Sequence, residues 1–545
     1  MKNLAEKKSV VGVQGVFLII LCLCLLLPAM ALGKMVKGDD VFKQYTDKNA
    51  QYGGVYRSYM IDPRSLDPHQ ETYGNTTAIT MNTNNQLIRV NQRMDGFELD
   101  LAKSWRRIDN RTYEFKLVEG VRFQNVPPVN GRELTSADVK YSIERQSGMY
   151  GEGQFQHKYY FDGKLESIET PDKYTVIFKT KEAYAPFIRY IAAPWTSIVA
   201  KEVVDANKDL KRVAIGTGPF IFKEWVQGSH ITLEKNPNYF RKGRPYLDGI
   251  SWKIIGDPNA ALAAYLAGNL DTLGPYYFQL QTVQEKSPDT IIGVLPGSHA
   301  FTLRTPPWIE GKQPLQPPFD NKKVRQAIGM AINKEELLKL AWGGYGKAEV
   351  GPVASSMALY ALGPKDQIKY DPEKAKQYLA EAGYPNGFTT ELMTWNQDYI
   401  SKPAQVLKDQ LAKVGITVNL KLLEQPQYFN LTYRYDYKMA LHMMTAANDP
   451  EEWLVPYFGK LNRSTYYKWS NPEIWAMIER QSFIMDEKRR IDYIKEIQRK
   501  IIDDAPNVFL YTQDRFGARR PYVHFKSYQL EDQPILGEFL WMEKH

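Results

Sequence analysis

"GTGPFIFKEWVQGSHITLEKNPNYF", Gly216 to Phe240, opens on a spaced glycine pair of the kind that cradles phosphates. A phosphate loop requires lysine and then serine or threonine at the mouth of a helix, because the ammonium meets phosphate oxygens and the hydroxyl meets magnesium. Here Gly216, Gly218 and Pro219 run instead into "FIFKEWV" and "HITLEK", two alternating segments around a turn at Gln227 to Ser229. Alternation about a short polar turn predicts a hairpin, so these amides feed a sheet and not a nucleotide. A second glycine cluster, "GEGQFQH" from Gly151, has neither a strand before it nor a helix after it and reads as loop.

Working upstream, "YGGVYRSYMIDPRSLDPHQ" is a strand that Asp62-Pro63 and Asp67-Pro68 end, followed by a predicted helix from Thr76 to Arg89. Asp109-Asn110 turns a hairpin between Trp105 and "TYEFKLVEG". Thr135 and Asp138 have capping-box spacing ahead of an amphipathic helix, and Pro171-Asp172 turns a second hairpin. These short elements predict a separate subdomain over residues 95–210.

Downstream, "NAALAAYLAGNLDTL" is a helix ended by Gly268. "NKKVRQAIGMAINKEELLKLAW" holds two helices, the later capped by Asn333 with Glu336 three positions on. Asp371, Pro372 and Gly383 bound another helix. "FTTELMTWNQ", "AQVLKDQLAKVG" and "ITVNLKLLE" then read strand, helix, strand, a βαβ-like unit that makes Phe319 to about Asp503 a second α/β lobe.

The chain has 545 residues, enough for two or three domains. Lys2, Lys7 and Lys8 precede an uncharged run from Val10 to Leu32, with Ala29 and Ala31 as small residues. Residues 1–31 read as a secretory signal cut near Ala31, or, if retained, as a single-helix tether. Cys22 and Cys24 both lie in this run, so the mature chain has neither disulfide nor thiol chemistry. The formal charge of +8 becomes +6 without the leader, too modest and dispersed for a nucleic-acid binder.

Catalytic signals are sparse. The seven histidines are scattered, so no metal or cofactor is predicted, and His442 reads as a satisfied histidine before a lone ligand. No Gly-x-Ser-x-Gly elbow occurs, and Glu451-Glu452 and Asp503-Asp504 read as solvated helix-end charges. What the chain has is aromatics in loop-like contexts, among them Tyr73, Trp308 and Trp395, suited to covering a ligand in a cleft.

The blocks "GRELTSADVKYSIER", "GTGPFIFKEWVQGSHITLEKNPNYFRKGRPYLDGISWKII", "AYLAGNLD", "PFDNKKVRQAIGMAINKEELLK" and "YDPEKAKQYLAEAGYPNG" resemble, in order, the family 5 extracellular solute-binding proteins of ABC importers, the peptide and nickel class. The resemblance implies a bilobal α/β periplasmic-binding-protein fold, type II-like and of cluster C. Its first lobe would comprise residues 47–94 and 211–305, with 95–210 as an extra subdomain. Residues 306–503 would form the second lobe and 504–545 return to the first. It implies a periplasmic, monomeric, non-enzymatic protein that closes on a peptide and presents it to an inner-membrane ABC permease. The alternatives are a non-peptide solute (oligosaccharide, opine or metal chelate) or, in another class, an extracytoplasmic hydrolase.

Tyr73, Trp395 and Asn396 are the expected residues for apolar cover and orientation. Thr445, Ala446, Ala447 and Asn448 are expected to give backbone and polar contacts. Peptide-binding relatives hold the ligand's amine with an aspartate that falls here at Ala446, which has no carboxylate. Asp449 precedes Pro450 and reads as a turn or cap, leaving Glu71 or Asp398 to reach the site.

Overall fold

Val55–Met60 (β1) alternates so that Tyr56, Ser58 and Met60 are buried. The computed structural model describes residues 34–71, 73–151, 155, 157–306, 308, 315–444, 447–460, 469–530 and 534–544. The leader with Cys22 and Cys24, and most of "GEGQFQH", lie outside these. No described helix is long and apolar enough to cross a membrane.

After β1 comes helix α1, Gly74–Thr83. It stops short of the expected Arg89 because Asn84 is already extended, at φ −123° and ψ 168°, and Ile88–Val90 is a strand. Ala102–Arg107 (β2) and Thr112–Leu117 (β3) form the expected hairpin. Helix α2, Ser136–Gln146, carries the Thr135/Asp138 capping box, with the Thr135 N–H donating to Asp138 Oδ2 at 2.8 Å. Leu165–Asp172 (β4) and Thr175–Thr180 (β5) complete an antiparallel sheet in the order β2-β3-β5-β4. Its turn lies at Lys173–Tyr174, two residues beyond the expected Pro171-Asp172, because Asp172 Oδ1 accepts from the Tyr174 N–H at 2.8 Å.

Phe220–Val226 (β6) and His230–Lys235 (β7) are the two strands of the opening stretch, and Gly249–Ile254 (β8) follows. They form the sheet β1-β8-β7-β6, with β1 parallel to β8. The glycines ahead of β6 receive the end of α1. The Gly218 N–H donates to Thr83 O at 2.8 Å, and a Cβ on Gly218 would lie 2.4 Å from the Thr83 carbonyl carbon. Glycine is required there by close approach of two backbones.

Pro258–Leu266 (α3) is capped by Asp257, which accepts from the Ala260 N–H at 2.7 Å. Thr272–Leu273 (β9) and the long strand Ile291–Arg304 (β10) follow. Lys334–Trp342 (α4) and Pro372–Glu381 (α5) start at their predicted caps, Asn333 and Asp371. Phe388–Trp395 (β11), Asp398–Ala412 (α6) and Ile416–Leu423 (β12) make a right order for a crossover, and β11 and β12 are parallel in register. Met439–Met444 (β13), Glu451–Phe458 (α7), Glu487–Asp504 (α8) and Asn507–Arg519 (β14) complete the second half.

The central sheet runs β9-β14-β10-β13-β11-β12. Strands β10 and β14 are antiparallel neighbours over most of their length and belong to both halves of the molecule. Ile291 to Pro296 pairs with Asp514 to Arg519 beside β9, and Ala300 to Arg304 pairs with residues up to Thr512 beside β13. Between Pro296 and Ala300 the register breaks.

The C-terminal return is fixed by a buried charge network. Glu538 meets Arg89 Nη1 at 2.6 Å, Arg241, and the Tyr239 hydroxyl at 2.8 Å, while Arg241 also reaches Asp100 at 2.9 Å. Burial alone would raise the Glu538 carboxyl, but Arg89 and Arg241 overcome it and hold the group below its ordinary 4.5.

Two outcomes test these contacts by denaturant unfolding. Gly218→Ala lowers stability by at least about 2 kcal/mol, whereas Gly256→Ala, with no atom within 4 Å of the new Cβ, stays within about 0.5 kcal/mol. Glu538→Gln costs about 3 kcal/mol near neutrality, because it leaves Asp100 as the one carboxylate facing Arg89 and Arg241. A lowered folded-state pKa stabilises above the unfolded value and loses that contribution as pH falls, so wild type and variant converge in acid.

Candidate functional site

The two halves meet away from β10 and β14 along a seam between the β2-β3-β5-β4 subdomain and helices α7 and α8. A backbone bond crosses it, from the Ala185 N–H to Ser482 O at 2.7 Å, and Arg107 Nη1 donates to Met485 O at 3.2 Å. The apolar core of the subdomain continues through Trp453, Leu454 and Phe458 of α7 and Ile494 and Ile497 of α8.

At the head of α7, Asp449 makes the turn that the Asp-Pro pair predicts: Oδ1 accepts from the Glu451 N–H at 2.9 Å. It is also fully buried, held by Arg490 through two bonds of 2.8 and 2.6 Å, with Arg189 Nε of the subdomain 4.0 Å away. Glu451 and Glu452 are not the solvated charges that their place at a helix end suggests. They are 4% and 9% exposed, because α7 is inserted between α8 and the subdomain rather than lying on the surface. The Tyr184 hydroxyl donates to Glu451 at 3.3 Å across the seam. Glu452 Oε1 accepts from the Asn448 N–H at 3.1 Å and the carboxylate also bonds Tyr160. Burial, with the Asp449 charge adding to it, pushes the Glu452 carboxyl up to about 8.

The facing wall is aromatic. Tyr160 stacks on Tyr190 at 3.7 Å between centroids, and His157 stacks on Trp195 at 3.9 Å. Burial lowers His157 to about 3, so the ring is neutral. A cavity of about 600 Å³ opens beside the seam, lined by Trp105, Arg106, Arg189, Tyr360, Met485 and Arg490.

A larger cavity, of about 790 Å³, lies in the first half between β1, the start of α1, β9 and the end of β14. Tyr73 is on its rim, 54% exposed, with the Arg64 guanidinium 5.0 Å above its ring. The loop before Tyr73 is pinned by Arg145, which donates to both Asp67 oxygens (3.0 and 2.6 Å) and to His69 Nδ1 (2.9 Å). His69 therefore carries its proton on Nε2, directed at Ser197 O at 2.9 Å, and burial keeps it neutral at about 4.

The candidate residues named from sequence are distributed over these surfaces. Ala447 and Asn448 sit at the seam, each 1% exposed, and Asn448 Oδ1 has no donor among the described residues. Thr445 and Ala446 lie outside the described residues. Trp395 is 2% exposed inside the second-half core, 4.8 Å from Tyr428 and 6.4 Å from His442 between ring centroids. Asn396 is exposed at the end of β11, its N–H bonded to Leu423 O at 2.8 Å. No described residue of 388–460 lines the Tyr73 cavity. Of the two acids named as substitutes at Ala446, Asp398 has an 81% exposed side chain paired with Lys402, and Glu71 is buried and accepts from the Tyr73 N–H at 3.3 Å. His442 is buried against the Tyr428 hydroxyl at 3.0 Å. No group of three potential metal ligands occurs among the described residues.

Sequence reasoning passed over Tyr160, Tyr184 and Arg189, and read Glu452 as a solvated charge. The only local signal was the aromatic density of "HKYYF" and "AYAPFIRYI", which does not distinguish an interface from a core.

Two α/β halves sharing a broken strand pair, and meeting again along a polar and aromatic seam, define a two-lobed binding-protein architecture. Residues 96–465 match bacterial extracellular solute-binding proteins, family 5, and the chain belongs to that family. It is 29% identical over 420 residues to the glutathione-binding protein GsiB of Pectobacterium atrosepticum, covering 74% of this chain and 78% of that one. It is 28% identical over 500 residues to the oligopeptide-binding protein AppA of Bacillus subtilis, covering 86% and 88%. Among solved structures, the periplasmic binding protein DppA of Helicobacter pylori, in complex with the peptide STSA, superposes with a TM-score of 0.73 at 26% identity, over 91% of this chain and 99% of that one.

If Arg189 helps hold the seam, Arg189→Met increases the radius of gyration of the unliganded protein in X-ray scattering and leaves the far-ultraviolet circular dichroism unchanged.

Proposed function

We propose that this protein captures peptides outside the cytoplasm and presents them to an inner-membrane ABC permease, acting by binding alone. Residues 306–503 form the lobe that closes, and the hinges are the register break at Pro296 to Ala300 and the facing segment around Gln513 and Asp514. The observation that carries this reading is the seam itself. Polar groups of both lobes are buried against one another at α7, where a ligand's backbone groups would find bonds strengthened by exclusion of water.

Peptide is the favoured ligand class because relatives over most of the chain's length are a glutathione-binding and an oligopeptide-binding protein. The acidic, aromatic seam fits such a ligand better than a sugar, which carries no cation for a buried carboxylate. Tyr73 on the first lobe, with residues 445–448 on the second, are the proposed contacts. Trp395, buried in the second-half core, and Asn396, exposed at the end of β11, are not among these contacts.

Native mass spectrometry of protein purified without refolding, followed by release under denaturing conditions, should yield short peptides. Titration calorimetry with tri-alanine, glutathione and a nonapeptide should show binding by at least one. Release of a single sugar, opine or metal chelate, with no peptide binding, would overturn the peptide assignment and keep the binding-protein architecture.

A further inference from the structure

Peptide capture, the reading on which this inference rests, brings an amino-terminal ammonium into a closing cleft, and a buried ammonium needs acceptors that are not already neutralised. The first turn of α7 has acceptors in excess. Asp449, Glu451 and Glu452 are all buried. Of the guanidiniums at the seam, Arg490 is paired with Asp449, Arg189 donates to Met94 O with its Nε 4.0 Å from Asp449, and Arg107 donates to Met485 O. Glu451 faces the Tyr184 hydroxyl. Glu452 pairs with no cation among the described residues; its partners are Tyr160 and the N–H and side chain of Asn448, and the nearby His157 is neutral.

A carboxylate accepts about four hydrogen bonds, so Glu452 has capacity left over. Beside it, Asn448 Oδ1 is a buried acceptor without a donor among the described residues. A carboxylate with spare accepting capacity beside an unsatisfied amide oxygen, the two closed over by an aromatic wall, suits a donor-only cation. Asp398 is excluded by exposure and Asp449 by its own ion pair.

We propose that Glu452 is the specificity-determining residue for the ligand's free amine, its carboxylate and Asn448 Oδ1 receiving the ammonium N–H groups while Tyr160 covers them from the other lobe. In the empty protein Glu452 is protonated near neutrality, which spares the seam a lone buried charge. The groups facing it do not change this. Asp449 is charged and paired, Glu451 is bonded to Tyr184, and Tyr160 and His157 are neutral. Arrival of the ammonium then drives the carboxyl proton into solvent, leaving carboxylate and ammonium paired and one proton released per ligand bound.

Titration calorimetry with tri-alanine and glutathione, each free and N-acetylated, in two buffers of different ionisation enthalpy at pH 7, tests this. Wild type should favour the free amine on the order of 100-fold and release close to one proton with it. Glu452→Gln should lose that preference and the proton release, and bind the acetylated forms within about threefold of wild type, since the isosteric amide keeps the Asn448 contact. A Glu452→Gln protein that still favours the free amine, or a wild type that binds free and acetylated forms alike, overturns the proposal and leaves the peptide reading standing. The acetylation comparison in wild type needs no variant, so it decides even if Glu452→Gln fails to fold. A wild type that binds neither probe in any form overturns the peptide reading, and this proposal with it.

Discussion

The molecule hangs on the antiparallel pairing of β10 with β14. Within the central sheet one end of the pair lies beside β9 of the first half and the other beside β13 of the second, so the two strands are at once connection and core. The ladder is interrupted between Pro296 and Ala300, and there the backbones come so close that a Cβ on Gly297 would lie 2.2 Å from Gln513 O. Bulges of this kind bend a strand and raise its local twist. A bend shared by two paired strands allows one half to rotate against the other without breaking the ladder on either side. A rigid sheet through the middle would have frozen the lobes, and two independent linkers would have left their relative position undefined.

What the hinge permits, the seam decides. At α7 the balance is electrostatic. One carboxylate, Asp449, is paired with Arg490 and approached by Arg189 of the other lobe, while Glu451 accepts from the Tyr184 hydroxyl and Glu452 from the Asn448 N–H. Burying an anion on such partners alone is costly, and the raised Glu452 carboxyl shows the cost being met by protonation. The closed arrangement is therefore tied to whatever group, proton or ligand, satisfies those oxygens.

Much of the local structure was legible in the sequence because its causes are local. The caps at Thr135, Asn333 and Asp371 depend on side chains three residues from their donors, and all start helices where expected. The opening glycines were legible as something other than a phosphate loop, but their partner, the Thr83 carbonyl more than a hundred positions away, was not. Trp395 reads as a loop-edge aromatic from its polar followers, yet Leu392 to Trp395 are all buried, since helices cover both faces of β11 and alternation gives no sign of which side a ring takes. The burial of Glu451 and Glu452 has no local cause: it depends on Tyr160 and Tyr184 of the subdomain, far upstream, and on the packing of α8, downstream beyond another helix. The subdomain's aromatic density was visible in the sequence, but not that one of its faces would be turned toward the other lobe.

The β10–β14 pairing also has a consequence for biogenesis. Its partners lie roughly 200 residues apart, so closing that ladder carries the entropy of a very long loop and comes late in folding. Until β14 has been synthesised, the apolar strand β10 has an unpaired edge and β9 has no partner. An incomplete chain thus remains loose and adhesive. The last stretch of the chain is therefore the one that closes the central sheet.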